Sequence, residues 1–178
     1  MNAVRDSDLQ QRAAAIRLAV FDVDGVLTDG TLYLDDRGTQ IKAFNVRDGL
    51  GLKALMRHDI VVAVITARRS GVVERRVAEL GVTLLRQGVS DKERALLDLA
   101  AGLNIETRLT SFMGDDLIDW PAMKHCGLSA APADADGWIR RQVDIVTQAG
   151  GGRGAVREFS EQLLAARGAL EAWQDSYR

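Results

Sequence analysis

The stretch "LAVFDVDGVLTDG", residues 18–30, decides the fold. Four apolar residues run without interruption into Asp22, and a second carboxylate, Asp24, follows one residue later. A short, wholly apolar run reads as a strand buried on both faces, the pattern of a parallel sheet. Asp and Gly beyond it are ordinary turn residues. Two carboxylates about 4 Å apart nevertheless repel by roughly 4 kcal/mol at an effective dielectric near 20, and a shared cation removes that cost. An i, i+2 pair on extended backbone points to one side, and Gly25 lets the chain come close to a ligand. Mg²⁺ suits the place, since it takes one or two carboxylates plus waters and phosphate oxygens. A calcium-binding EF-hand loop does not fit: Val26 and Leu27 stand where that loop needs an oxygen ligand and a glycine.

Outward from this stretch, strand-like runs alternate with helix-like ones. "DIVVAVIT" (59–66), "VTLL" (82–85), "RLTSFMG" (108–114) and "DIVT" (144–147) read as strands, while 48–57, 70–80, 91–102 and 116–126 carry apolar residues at three- and four-residue spacing. The expected fold is α/β, a doubly wound parallel sheet. "TLYLDDRGTQIKAF" (31–44) breaks the alternation as a projecting β-hairpin. No insertion is long enough for a second domain or a cap, so 1–178 is read as one domain ending in a Gly-rich C-terminal segment and tail, 148–178.

The 178 residues carry a net charge of −2, which gives no sign of a nucleic-acid or anionic-membrane partner. One cysteine, Cys126, forms no internal disulfide, and no apolar run approaches the roughly 20 residues of a bilayer span. The expected setting is the cytoplasm.

In an open parallel sheet, ligands bind beyond the carboxyl ends of the strands. Asp22 and Asp24 fall there, as do Thr66 after "VAVI" and Asp115, Asp116 and Asp119 in "GDDLID"; Lys92 opens a helix after another strand. Singly, each has an ordinary reading as a helix cap or a solvated charge. Converging on one sheet edge in this order, they read as one site.

These residues resemble a known family. "DVDGVLTDG", the strand-terminal Thr66, the helical Lys92 and "GDDLID" match in order the four motifs of the haloacid dehalogenase superfamily of phosphotransferases. "DGTLY", "FNVRDGLGLK", "QGVSDKERAL", "GDDLIDWPAM" and "GGRGAVRE" narrow the resemblance to its cap-less phosphatases of 3-deoxy-D-manno-octulosonate 8-phosphate, a lipopolysaccharide precursor. The resemblance implies that Asp22 is the nucleophile forming an aspartyl-phosphate. Asp24 is then general acid and base, and Thr66 and Lys92 hold phosphoryl oxygens. Mg²⁺ is implied on Asp22, Asp115 and the Asp24 carbonyl, with Asp116 and Asp119 orienting the ligands and Lys92. The family's substrate contacts map onto Asp24, Asn45, Val46, Arg47, Asp48, Gly49, Lys53, Arg68, Arg76 and Lys92. A homotetramer whose hairpins meet centrally is also implied. The three glycines of the "GGGRGAVRE" tail give it reach and freedom and Arg153 gives it an anion-seeking tip, so the tail is expected to help close a site, a neighbour's included. Ala67, Lys53, Arg86 and Gly150 depart from the family's usual residues, which bears on whether a related nonulosonate 9-phosphate is accepted.

"GGGRGA" (150–155) is not a dinucleotide fingerprint, because no further β unit follows it, and His58, His125 and Cys126 are not spaced as metal ligands. A response-regulator receiver also joins carboxylates, Thr and Lys on a parallel sheet, but it places its acidic pair ahead of a mid-chain phosphorylated Asp. A catalytically silent assembly subunit would have no chemical reason to keep the whole set.

Overall fold

The computed structural model describes the backbone of residues 2–178 and the side chains of residues 7–178. The decisive stretch supplies β1 (Leu18–Phe21), which lies inside a sheet that, among the described residues, has six strands. β1 pairs in parallel with β4 (Val61–Thr66) on one side and β6 (Thr110–Met113) on the other. β5 (Leu84–Gln87) extends the β4 side, and β7 (Leu128–Ala131) followed by β8 (Ile145–Val146) extends the β6 side. The chain builds outward from β1 through β4 to β5, then crosses back to β6. β1 and β6 therefore flank the topological switch point, where such sheets bind ligands.

Helices cover both faces, and the period-2 alternation of the strands decides which residue meets which layer. Ala19 and Phe21 join α1 (Asn2–Ala15), α2 (Val46–Arg57), α3 (Gly71–Leu80), α7 (Ala155–Ala166) and α8 (Leu170–Asp175) in one core. Leu18 and Val20 face α4 (Lys92–Gly102), α5 (Trp120–Met123) and α6 (Ile139–Gln142) in the other. Phe21 meets Phe159 of α7 edge to face at 6.2 Å, which ties the strand carrying Asp22 to the C-terminal layer. No helix among the described residues is long and apolar enough to cross a membrane.

The hairpin forms as expected within 31–44, though its paired strands are only β2 (Tyr33–Leu34) and β3 (Gln40–Ile41). Four expectations need correction. β7 was not foreseen: "LSAA" is short and built largely from small residues of weak strand preference, and pairing on both sides holds it. β5 lies two residues later than 82–85. The helix expected over 116–126 shrinks to α5, because the Asp119 carboxylate accepts the backbone N–H groups of Asp115 and Asp116 and holds the preceding residues in a turn. Most of the C-terminal segment is no free tail either, since α7 buries Val156, Phe159, Leu163 and Leu164 against the sheet.

Candidate active site

The strand register brings the expected catalytic side chains to one rim. Phe21 is level with Val64 and Met113, so Asp22, Thr66 and Asp115 leave the sheet at neighbouring strand ends. They border a cavity of about 250 Å³ together with Asp24, Lys92 and Arg68. Lys92 arrives from below: Asp91 caps α4 by accepting the Arg94 N–H, which places Lys92, the first helical residue, with its side chain buried.

Inside the rim, one buried ammonium faces several carboxylates. Lys92 Nζ is 2.5 Å from Asp119 Oδ1 and 3.0 Å from Asp22 Oδ1. The contact to Asp22 is out of hydrogen-bonding alignment, so this buried oxygen has no hydrogen-bond partner. Burial, and then the charge of Asp119, push Asp22 up to about 7 against the pull of Lys92. Burial and the charges of Asp119 and Asp22 likewise push Asp115 up to about 8. Burial lowers the Lys92 pKa, but Asp22 and Asp119 outweigh it and leave the ammonium firmly charged. One lysine thus fails to neutralise the cluster.

A hard cation would complete that neutralisation, and the donor set fits one. Carboxylate oxygens of Asp22, Asp115 and Asp119 lie within 4.8 Å of one another. Asp119 is already committed, with Oδ1 on Lys92 and Oδ2 accepting from the N–H of Asp115 (3.0 Å) and of Asp116 (3.3 Å). That leaves Asp22 and Asp115 as the available carboxylates, an all-oxygen arrangement suited to Mg²⁺. Asp116 lines the cavity, and its Oδ1 accepts the Leu117 N–H at 2.7 Å.

Two glycines let these groups approach. A Cβ at Gly25, whose φ is +87°, would stand 2.0 Å from Asp115 Oδ2; one at Gly114 would stand 2.4 Å from the Asp119 Cβ. Gly25 thus admits Asp115 to the loop, a closer role than general backbone freedom.

Asp24 sits at the cavity mouth, partly exposed. Its Oδ1 pairs with Lys42 and its Oδ2 lies 3.8 Å from Arg68 Nε. Lys42 escaped the sequence reading. Alternation read from the sequence would turn apolar Ile41 inward and Lys42 to solvent; the structure does the reverse, with Ile41 68% exposed.

The other expected substrate contacts gather elsewhere. Asn45 caps α2 by accepting the Arg47 N–H, and Asn45, Asp48, Gly49 and Arg76 border a separate narrow crevice. Asp48 is buried, with its carboxylate accepting the N–H of Gly154 (3.3 Å) and Arg157 (2.9 Å) at the start of α7. In this chain its side chain fastens two segments together and does not face the cavity. Gly49 lies beneath the Arg76 guanidinium, which pairs with Glu79 at 3.4 Å. Val46, Arg47 and Lys53 are exposed and do not border the cavity.

The Gly-rich segment is also placed otherwise than expected. A Cβ at Gly151 would be 1.9 Å from the Gly25 carbonyl oxygen, and one at Gly152 would be 2.7 Å from Asp29 N. The Gly152 N–H donates to Val26 O at 2.9 Å, the Gly151 N–H to Asp134 at 2.9 Å, and Arg153 lies 3.6 Å from Asp29. These glycines serve close packing on the loop after β1, a clamp where reach and freedom had been expected. Cys126, partly buried, has its thiol pushed up to about 12 by burial, and it joins no metal group among the described residues.

No protein-family model matches the chain. It is 48% identical over 165 residues to the 3-deoxy-D-manno-octulosonate 8-phosphate phosphatase of Escherichia coli strain K12, over 93% of this chain and 88% of that protein. The same enzyme of Yersinia pestis is 49% identical over 164 residues, 92% of this chain and 88% of that protein. Among solved structures, the phosphatase of that name from Moraxella catarrhalis, in complex with a magnesium ion, a phosphate ion and KDO, superposes with a TM-score of 0.94 at 39% identity, covering 97% of this chain and 99% of that one.

Proposed function

The chain belongs to the 3-deoxy-D-manno-octulosonate 8-phosphate phosphatase family of the haloacid dehalogenase superfamily, and from that premise we propose that it hydrolyses this phosphorylated sugar acid to the free acid and inorganic phosphate. The observation that carries the reading is the cluster of Asp22, Asp115 and Asp119 around Lys92 at the switch point of the sheet.

Asp22 attacks phosphorus and forms an aspartyl-phosphate, which divides the hydrolysis into two easier displacements. Asp24, at the mouth, gives a proton to the departing sugar oxygen, then takes one from the water that cleaves the aspartyl-phosphate. Lys92 and Thr66 hold the phosphoryl oxygens, and their fixed positions matter because phosphoryl transfer depends mainly on alignment and charge stabilisation. Asp119 keeps Lys92 and the backbone of Asp115 in place. Asp22, Asp115 and the Asp24 carbonyl would hold Mg²⁺, which supplies positive charge to the reacting phosphoryl group. Arg68, at the same rim, offers a planar donor pair to the substrate carboxylate.

In this reading the enzyme is a cytoplasmic homotetramer acting in lipopolysaccharide precursor synthesis. Supporting assembly, Leu32, Tyr33, Leu34 and Ile41 leave an apolar hairpin surface in solvent. In such an assembly the exposed Val46, Arg47 and Lys53 are available to substrate at a subunit boundary, whereas Gly49 is buried beneath Arg76. The test is phosphate release from a panel of sugar phosphates including a nonulosonate 9-phosphate, with Mg²⁺ and with EDTA. Release that prefers the 8-phosphate and stops in EDTA is expected; undiminished release in chelator would overturn the metal assignment, and preference for the 9-phosphate the substrate assignment.

A further inference from the structure

The two catalytic carboxylates are served by different lysines. Lys92 is engaged by Asp22 and Asp119, whereas the Asp24 side chain is paired with Lys42. Lys42 immediately follows β3 on the hairpin and does not itself border the cavity; it reaches the site through Asp24. Its own side chain is only 3% exposed, so an ammonium has been taken from water, which is costly without a fixed counter-charge. Asp24 is the carboxylate that meets it.

Resting on the reading of Asp24 as the proton donor, we propose that Lys42 is a positioning residue that holds Asp24 in its catalytic orientation. Lys42 holds Oδ1, and the opposite oxygen, Oδ2, faces the rim beside Arg68. As the phosphorus–oxygen bond breaks, its electron pair stays on the sugar oxygen, which receives the proton from Asp24. Without Lys42 the carboxylate can turn toward the half-exposed Arg68, whose Nε is already 3.8 Å from Oδ2. The hairpin thereby acts on the chemical step from outside the strand ends.

The leaving group separates this role from a merely structural one. p-Nitrophenolate departs without needing a proton, whereas a sugar alkoxide needs one. kcat/KM covers the steps up to departure of the leaving group, so the later work of Asp24 on water does not enter. In Lys42→Met, kcat/KM for the sugar 8-phosphate should fall by about tenfold or more, within the range of general-acid contributions. For p-nitrophenyl phosphate the change should stay under about threefold, and Lys42→Arg should recover much of the lost sugar-phosphate activity. The ratio of the two values within one preparation does not depend on the fraction folded. An equal fall on both substrates, or no fall, would overturn the proposal with the phosphatase reading intact. An inactive wild type would overturn both.

Discussion

The Lys92 ammonium lies 2.5 Å from the Asp119 carboxylate, and both side chains are buried. The pair is structural and electrostatic at once, since Asp119 also accepts from the backbone of Asp115 and Asp116. Truncating one partner of a buried pair typically costs about 3–5 kcal/mol. Asp119→Ala should therefore lower the unfolding free energy by about that much, read from denaturant curves. A loss below about 1 kcal/mol would mean that the pair is solvated. Lys92→Ala should lower kcat by about 10²- to 10³-fold, the size found when one charge-stabilising donor is removed.

Gly25 can be tested independently of charge. Gly25→Ala would drive a methyl group into Asp115 and strain a backbone at φ +87°. A misplacement near 1 Å can cost about 10²-fold in rate, and a drop of that order is expected with unchanged circular dichroism. Wild-type turnover in a folded Gly25→Ala would show that Asp115 has room to move.

The raised Asp22 and Asp115 fix the sign of a pH effect. Both bind a proton more tightly in the folded chain than in the unfolded chain, with values of about 7 and about 8. Their contribution to stability is present below the ordinary carboxylate range and is lost as pH rises toward the folded values. Buried Asp48, raised chiefly by burial, acts in the same sense. In chelator, Tm should fall between pH 5 and pH 9, and Mg²⁺ should restore more of it at pH 8 than at pH 6 because binding displaces protons. A Mg²⁺-induced rise in Tm that shrinks with pH would contradict this electrostatic picture.

Cys126 should be inert in the native enzyme. With its thiol pushed up to about 12, almost none is thiolate at pH 8, and only the thiolate attacks a disulfide reagent. Ellman's reagent should titrate it in denaturant and scarcely at all without; rapid native labelling would refute the burial argument.

What was legible in the sequence depended on sheet geometry. Once "LAVF" and "VVAVIT" are parallel strands, Asp22 and Thr66 must leave at the same edge, and the structure places them on one cavity. Lys42 was hidden because its role depends on a hairpin folding back over a loop 18 residues earlier. Asp48 was hidden because its partners are backbone N–H groups 106 and 109 residues away, and backbone donors leave no mark in a sequence. The glycines at 150–152 suggested mobility by composition, whereas the packing of Gly151 and Gly152 against Gly25 and Thr28, and of Gly150 against Asp134, exists only in the folded chain. β7 was missed because its stability comes from two neighbouring strands and not from its own residues.

Asp22 carries the phosphoryl group in this mechanism, and the most direct measurement is to trap it there. Enzyme quenched in acid during turnover of the sugar 8-phosphate, reduced with borohydride and digested, should yield homoserine at Asp22 in the peptide containing residues 18–30. Asp22→Asn should show neither modification nor turnover. Modification at any other residue, or full turnover by Asp22→Asn, would contradict the account.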